Sequence, residues 1–550
     1  MKKVSLLIAL CSALMIAAPV MALEVEVSGH YFVETYNNSN SNLSPNDATD
    51  DYSKMEFMAK PVFKITDNIT LTTQFTGLEG HVWGDNPSDA GSEFDDDYNN
   101  IEWKAAYMTI KTPIGGFIVG RYIDTPWGTD LGDSTASHGS NDLAKDRIMW
   151  VVPVGDFISG LVYQRVGEGD KGVSDSDKDN IRAYGFTAYK QENWSTGLLV
   201  SRYNLKGFVD MADLRALQAG YNNYEALNDA ATLAQATYDG AYAQIYAGLA
   251  PLLGEDAAYA AIQGELAATN DFALGQAVDL ANLQRDASLA AGQAAAAGSL
   301  ISGGLTNSTA AFWVLDPYFK GTFGPLGIEA EFLYAFGTLE LDETRTDVRN
   351  GSQFDELDGE AMAATIDLKY TIAGFTFNGG YTYVQGDSDW ADDEFGSIGY
   401  LEQSIDLEHG FLLTSDTADM EGTFGGTDAN GIALGNLAGG RQTLAGCAGY
   451  QMYWLGAEYQ VLDNLKIGAL FVSSKADDAP YLDLTSTDKE QWDDDHGQEY
   501  DLTVEWNIMD NLTFNGVVAH LAAGDFWKAG DPDAEIEDNT TFYGQLIVEF

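Results

Sequence analysis

Tyr500-Asp501-Leu502-Thr503-Val504-Glu505-Trp506-Asn507 is the stretch on which the fold turns. Successive side chains of a strand point to opposite sides, so Tyr500, Leu502, Val504 and Trp506 share one face and Asp501, Thr503, Glu505 and Asn507 the other. The pattern recurs at Phe375 to Tyr383, at Ala364 to Tyr370 (Thr365, Asp367 and Lys369 polar) and at Ile328 to Phe336 (Glu329 and Glu331 polar). Alternation starts near Leu23 and runs in stretches of about ten residues. It fits two architectures. A soluble sandwich turns the apolar face to a core; a membrane barrel turns it to lipid and the polar face to a wet lumen.

Connection lengths choose between them. Short turns fall at Thr66-Asp67-Asn68, Pro113 to Gly116, Pro153 to Asp156, Gln191 to Trp194, Gly324 to Gly327, Ile372 to Phe375, Leu462 to Asn464 and Met509 to Asn511. Between them lie long loops rich in Asp, Gly and Ser, such as Asn37 to Asp51, Gly84 to Asn99 and Gly167 to Asn180. Short periplasmic turns alternating with long extracellular loops are the organisation of outer-membrane barrels, and a sandwich has no reason to put every long loop at one end. Eight short turns with free first and last strands predict a transmembrane antiparallel up-and-down β-barrel of about 18 strands. A barrel that wide is not filled by its own wall side chains and encloses a channel or a plugged lumen.

The two ends agree with export. Lys2 and Lys3 precede the apolar run Val4 to Ala18, and Val20-Met21-Ala22 has the small residues of a cleavage site, so residues 1–22 read as a secretory signal and residues 23–550 as the barrel. Cys11 stands too early, after the bulky Leu10, for a lipidation site. The last strand sets Phe542, Gly544, Leu546, Val548 and Phe550 on one face. A terminal aromatic on an alternating strand is similar to the assembly signal of outer-membrane barrels, which assigns that role to Phe550, Val548 and Leu546 and makes the barrel-assembly machinery a partner.

Composition excludes several classes. Removing the leader takes away two Lys and no acid, moving the formal charge from −56 to −58, which rules out a phosphate-binding nucleic-acid partner. Only Cys447 remains, so no intrachain disulfide forms. After the leader, no apolar run approaches the ~18 residues of a spanning helix. His30, His81, His138, His409, His496 and His520 show no metal-ligand spacing, and Gly435 to Gly440 neither follows a strand nor opens a helix, so no enzyme is expected. With the first strand starting near Glu24, there is no room for the plug of a TonB-dependent receptor.

One hairpin resembles the Gram-negative general porin family. Ala106 to Lys111, Gly115 to Arg121 and Thr125-Pro126 resemble that family's hairpin ending in Gly-Arg, and Asp146-Arg147-Ile148 with Pro153 and Asp156 to Gly160 resembles its Arg-bearing strand and following turn. The close match covers roughly 60 residues. The resemblance implies a homotrimer in the outer membrane, in contact with lipid and lipopolysaccharide. It also implies a loop after the fifth strand that folds inward as a pore constriction, with Arg121 and Arg147 on the wall facing Asp124, Asp130 and Asp133. The family has sixteen strands, the alternative to eighteen here. Strict alternation sets Arg121 beside Phe117 and Val119, so it reaches the lumen only if Gly120 carries a bulge.

The polar faces nominate Lys60, Lys64, Lys104, Glu329, Glu331, Asp367, Lys369, Asp501 and Glu505 as pore-lining. Residues 207–304 break the pattern: Tyr224 to Ala250, Asp256 to Ala268 and Phe272 to Ala297 are Ala-rich and favour helix, an insertion in the fifth surface loop that either caps the mouth or decorates it. Asp clusters at Asp95 to Asp97, Asp175 to Asp179, Asp392-Asp393 and Asp493 to Asp495 offer hard oxygens for Ca2+ or Mg2+ bridging to lipopolysaccharide. None completes a calcium-loop pattern, so a solvated surface is favoured and no cofactor is expected. The function expected is a water-filled channel for ions and small hydrophilic solutes, cation-selective through its acidic loops. A surface-structural or adhesin barrel with a plugged lumen is the alternative.

Replacing Gly207 to Gly304 by a short Gly-Ser linker should leave a heat-modifiable, folded barrel, because closing a different loop length costs little. Loss of the barrel on a gel would show the insertion to be structural.

Overall fold

The computed structural model describes residues 24–45, 49–83, 101–122, 127–129, 144–167, 180–206, 309–346, 353–387, 393–396, 409–414, 425–426, 434–435, 437, 444–480 and 491–550. The leader, the 207–304 insertion, Asp124, Asp130, Asp133, the Asp95 and Asp175 clusters and Asp392 lie outside these residues.

Before the insertion come β1 (Glu24–Ser39), β2 (Asp50–Thr66), β3 (Ile69–Val82), β4 (Glu102–Thr112), β5 (Gly115–Tyr122), β6 (Lys145–Val154), β7 (Phe157–Gly167), β8 (Asn180–Lys190) and β9 (Trp194–Lys206). After it come β10 (Thr309–Phe323), β11 (Leu326–Thr346), β12 (Gln353–Ile372), β13 (Phe375–Val384), β14 (Glu394–Phe395), β15 (Tyr450–Leu462), β16 (Leu465–Ala476), β17 (Asp495–Met509), β18 (Leu512–Ala523) and β19 (Asn539–Glu549). Each wall strand pairs antiparallel with its neighbours, and β19 returns to β1, from His30 opposite Glu549 to Ser39 opposite Thr540. The two-residue β14 lies in a loop and pairs in parallel with Asp358 and Gly359 of β12. The wall therefore has eighteen strands, which departs from the sixteen implied by the hairpin resemblance.

All eight short connections occur where the sequence sets them. One of the two-residue turns, Ala373-Gly374, has both residues at positive φ (50° and 82°), the twist that matches two right-twisted strands. An even strand number is what lets the first and last strands meet antiparallel. That seam extends to the final residue: Gly29 N–H donates to the Phe550 carbonyl (2.9 Å) and Phe550 N–H to the Gly29 carbonyl (3.0 Å). The Phe550 ring stacks 6.0 Å from Phe57 on the outer face.

That outer face is apolar and unburied, with Leu161, Leu455 and Leu502 each about 60% exposed or more (59%, 67% and 62%). Outward aromatics form two belts. Near the periplasmic turns, Phe157 meets Tyr189 (4.7 Å) and Phe375 meets Tyr459 (4.4 Å). Higher up, Tyr381 meets Tyr453 (4.9 Å) and Phe471 meets Tyr500 (5.3 Å). Aromatic belts mark the two headgroup levels of a membrane.

Deleting Phe550 removes the last rung of the seam and its ring contact. We expect the deletion to lower the yield of heat-modifiable, protease-resistant barrel several-fold while export continues; an undiminished yield would remove Phe550 from assembly.

Candidate functional site in the barrel lumen

Because cross-strand partners share a face, one inward position fixes the parity of the whole ring. Lys60 and Lys64 of β2 lie inward, and Lys64 Nζ reaches Glu24 (2.8 Å) and Glu26 (2.7 Å). Lys104 is buried inward beside Glu102 (2.9 Å) at a register shift between β3 and β4. Glu329 stands opposite Asp367, and Glu331 opposite Thr365; Lys369 follows on the same face. Glu505 accepts from Lys466 at 2.8 Å, and Asp501 is buried inward. The nine wall positions nominated from the sequence thus all point into the lumen.

Arg121 does not. The β4–β5–β6 register runs without a slip, placing Arg121 between Ala106 and Asp146 on the outward face of Val119 and Ile148. Gly120 has φ of 134° yet adds no residue to the ladder, so the bulge that would turn Arg121 inward is absent. Its guanidinium instead pairs bidentately with Asp146 on the outer surface (3.1 and 3.3 Å). Arg147, one rung over, is inward and buried, 5.3 Å from the Tyr122 ring.

Arg182, which the sequence reading passed over, completes a row of cations. It sits between the Tyr184 and Tyr203 rings (4.8 and 4.7 Å), with Nε donating to Ser201 Oγ (2.9 Å). Lys104, Arg147 and Arg182 stand eight, seven and eight residues above the periplasmic ends of β4, β6 and β8. At similar height the wall from β10 to β17 carries carboxylates: Asp316, Glu331, Glu499 and Asp501. Parity from Tyr184 would have found Arg182; its position beside a turn-rich loop hid it.

Two loops fold inward. From the β5–β6 loop, Trp127 packs edge-on against Tyr318 (5.0 Å) and Phe186 (5.6 Å), over the bare Cα of Gly197. The Thr129 amide and hydroxyl both donate to Glu331 Oε2. Gly128, at φ 71°, is required there, since a Cβ would collide with the Glu331 carboxylate. From the β13–β15 loop, consecutive amides of Phe411, Leu412 and Leu413 donate to Asp501 Oδ2 (3.3 Å), Glu499 Oε1 (2.6 Å) and Glu499 Oε2 (3.0 Å). Leu412, Leu413, Leu434, Leu437 and the short helix α1 (Leu444–Cys447) then cover Phe312, Val314, Leu333, Leu339, Met452 and Val472 of the inner wall. The extracellular half of this sector is therefore apolar, not the wet polar face expected of every inward position.

Beneath the two loops a cavity of about 630 Å³ opens toward the periplasmic turns, with Thr129 and His409 at its roof. Lys190, Lys320, Lys369, Glu192, Glu329, Asp367 and Glu458 supply charge, and Asn193, Ser195, Thr365 and Asn378 add hydrogen-bonding groups. Lys320 and Glu329 pair at 3.3 Å. His409 stacks on Trp454 (3.8 Å), and burial there lowers its pKa to about 4, so it is neutral at physiological pH.

Nothing in the lumen has the form of a catalytic centre among the described residues. Ser474 Oγ lies 3.1 Å from His496 Nδ1, but Phe526 and Trp527 seal the pair from solvent. No three His, Cys, Asp or Glu converge for a metal among the described residues. The belts and the closed wall together fix the compartment. The chain is an outer-membrane β-barrel of a Gram-negative envelope.

No family model matches the sequence, and no curated protein matches it. Among solved structures it is similar to Pseudomonas aeruginosa OprD (9% identity, TM-score 0.45, covering 96% of this chain and 95% of that one). It is also similar to P. aeruginosa OccK8 (OprE), at 11% identity and TM-score 0.44 over 96% and 98% of the two chains. OmpT, an outer membrane protein of Vibrio cholerae, shows 10% identity and TM-score 0.37 over 97% and 99%. These identities are too low to transfer a residue role.

Glu499 holds the β13–β15 loop through two backbone amides, and leaving a buried donor unmet costs about 1–3 kcal/mol. Glu499→Ala should release the loop without loss of the barrel, read as new protease cleavage near Leu412. An unchanged cleavage pattern would place the anchor elsewhere.

Proposed function

We propose that this chain is a porin: a water-filled channel for passive diffusion of ions and small hydrophilic solutes. The observation that carries this reading is the charge-lined cavity of about 630 Å³ inside a closed eighteen-stranded wall. Barrels of 16–18 strands leave an aqueous passage. Among the described residues, two inward loops narrow the lumen.

The channel prefers cations in this reading. Lysines and arginines of the wall are offset by carboxylates at comparable height, so the wall is near balance. The surface loops hold much of the acid excess behind the −58 charge of the mature chain. At ~0.15 M salt the Debye length is about 8 Å, so carboxylates ringing the mouth still concentrate cations there. A second reading, a surface-structural barrel with a plugged lumen, draws on the apolar packing of the β13–β15 loop against the inner wall.

Planar-bilayer recording separates the two: a porin conducts at once in discrete steps and a plugged barrel is silent. Reversal potentials in a KCl gradient should show cation preference that weakens as salt rises; anion selectivity at low salt would place the loops away from the permeation path. Arg147→Ser should raise the cation-to-anion permeability ratio roughly twofold to fivefold, the effect of about 0.5–1 kcal/mol of local potential. Arg121→Ser should leave the ratio unchanged, since its side chain lies outside.

A further inference from the structure

On the outer face, four cations are gathered on neighbouring strands, apart from Lys475 of β16, which pairs with Asp494 (3.1 Å). Arg121, Asp146 and Arg165 are successive cross-strand partners on β5, β6 and β7, so they form one outward row. Two strands on, Arg202 of β9 faces outward beside Trp313, its guanidinium 5.3 Å from that ring. Lys206, opposite Thr309, ends the same face of β9. Four cations and a single acid thus occupy the described outward positions of β5 to β9, in a protein with 84 acids and 28 bases.

Their height is specific. Arg121, Arg165 and Arg202 stand six, eight and eight residues above the periplasmic ends of their strands. Outward Tyr163 and Trp313 stand at six and ten, on the upper aromatic belt. Below them, on β7 and β9, Leu161 and Leu198 are exposed to the acyl region. An outward Arg costs about 2–4 kcal/mol at the membrane midplane and ~0–1 near the interface, so this placement is tolerable only at headgroup level. Asp146 grips Arg121 by Nε and one Nη, orienting the guanidinium along the surface while it remains half exposed (52%). The Trp313 ring supports Arg202 in the same manner. Guanidinium groups held flat at a headgroup level suit the fork geometry of phosphate oxygens.

We propose that the outward Arg121–Arg165–Arg202 cluster is a binding site for the phosphate groups of the phosphorylated glycolipid in the outer leaflet, the lipid anchor of lipopolysaccharide. The site needs no bridging metal, unlike contacts made through the acidic loops. It stands on charge complementarity and on its level in the membrane, and it is independent of whether the lumen conducts.

The test uses the purified full-length mature barrel in detergent with a metal chelator present. Bisphosphorylated lipid A and its phosphate-free form are the probes, and lipid retention is read by native mass spectrometry. Wild-type barrel should retain the phosphorylated form at least roughly tenfold better than the phosphate-free one, the difference made by charge-assisted hydrogen bonds. The triple variant Arg121→Ser, Arg165→Ser, Arg202→Ser should lose that preference while still migrating as a heat-modifiable barrel. Arg165→Ser alone should lose part of it, which covers the case of a triple variant that fails to fold. Asp146→Asn, removing the one acid, should raise retention. Equal retention of the two lipids by wild type, or undiminished retention by a folded variant, would overturn the proposal. So would a variant that keeps its lipid but dissociates an oligomer, because the cluster would then be a contact between copies.

Discussion

Every backbone amide that crosses hydrocarbon must find its partner within the protein, since lipid offers none. A sheet meets that demand only by closing on itself, and here closure depends on the β19–β1 seam, carried down to the reciprocal hydrogen bonds of Gly29 and Phe550. Closure makes parity global. With no free edge at which register could drift, the side of the wall on which each residue lies follows from any single one. The split of roles between Arg121 and Arg147, partners of adjacent rungs, is a direct result: one faces lipid headgroups and the other the lumen.

Inside, carboxylates act as fasteners for loop backbone. Glu331 accepts from Thr129, and Glu499 with Asp501 accepts three consecutive amides from the β13–β15 loop. Loop amides turned inward have lost water, and a buried amide without an acceptor is costly. Charged acceptors make short, strong bonds to such donors. The same acids lie on the wall from β11 to β17, while Lys104, Arg147 and Arg182 lie on β4, β6 and β8. Anchoring the loops and setting the lumen's charge are thus carried by overlapping residues.

Much of the fold was legible because strands in lipid obey period two and turns carry their own chemistry. The eight turns and the wall positions from Lys60 to Glu505 follow from those two rules alone. Alternation also foretold that Arg121 needs a bulge to enter the lumen, so the hairpin resemblance misassigned it where local pattern did not. The inner apolar layer was harder to read. Leu412, Leu413, Leu434, Leu437 and Leu444 follow no period, and they gain a common surface only when the loop folds back. A trace was present in Ala310-Ala311-Phe312-Trp313-Val314-Leu315, a run apolar on both faces, as expected of a strand covered on both sides. Asp501 read as wetted wall and Glu499 was passed over, because their partners are main-chain amides, which sequence does not display.

The layer under the β13–β15 loop also gives the barrel two thermodynamically different kinds of apolar surface. Outer-face leucines exchange lipid for lipid-like neighbours, a transfer with little hydration change. Leu412, Leu413, Leu434 and Leu437, packed on Phe312, Leu339 and Val472, are withdrawn from water as in a soluble protein core. Hydration of such groups carries a large positive heat capacity on exposure. The loop's attachment is therefore weakened by cold in a way that the lipid-facing wall is not, and the interior of this membrane protein has the temperature response of an aqueous one.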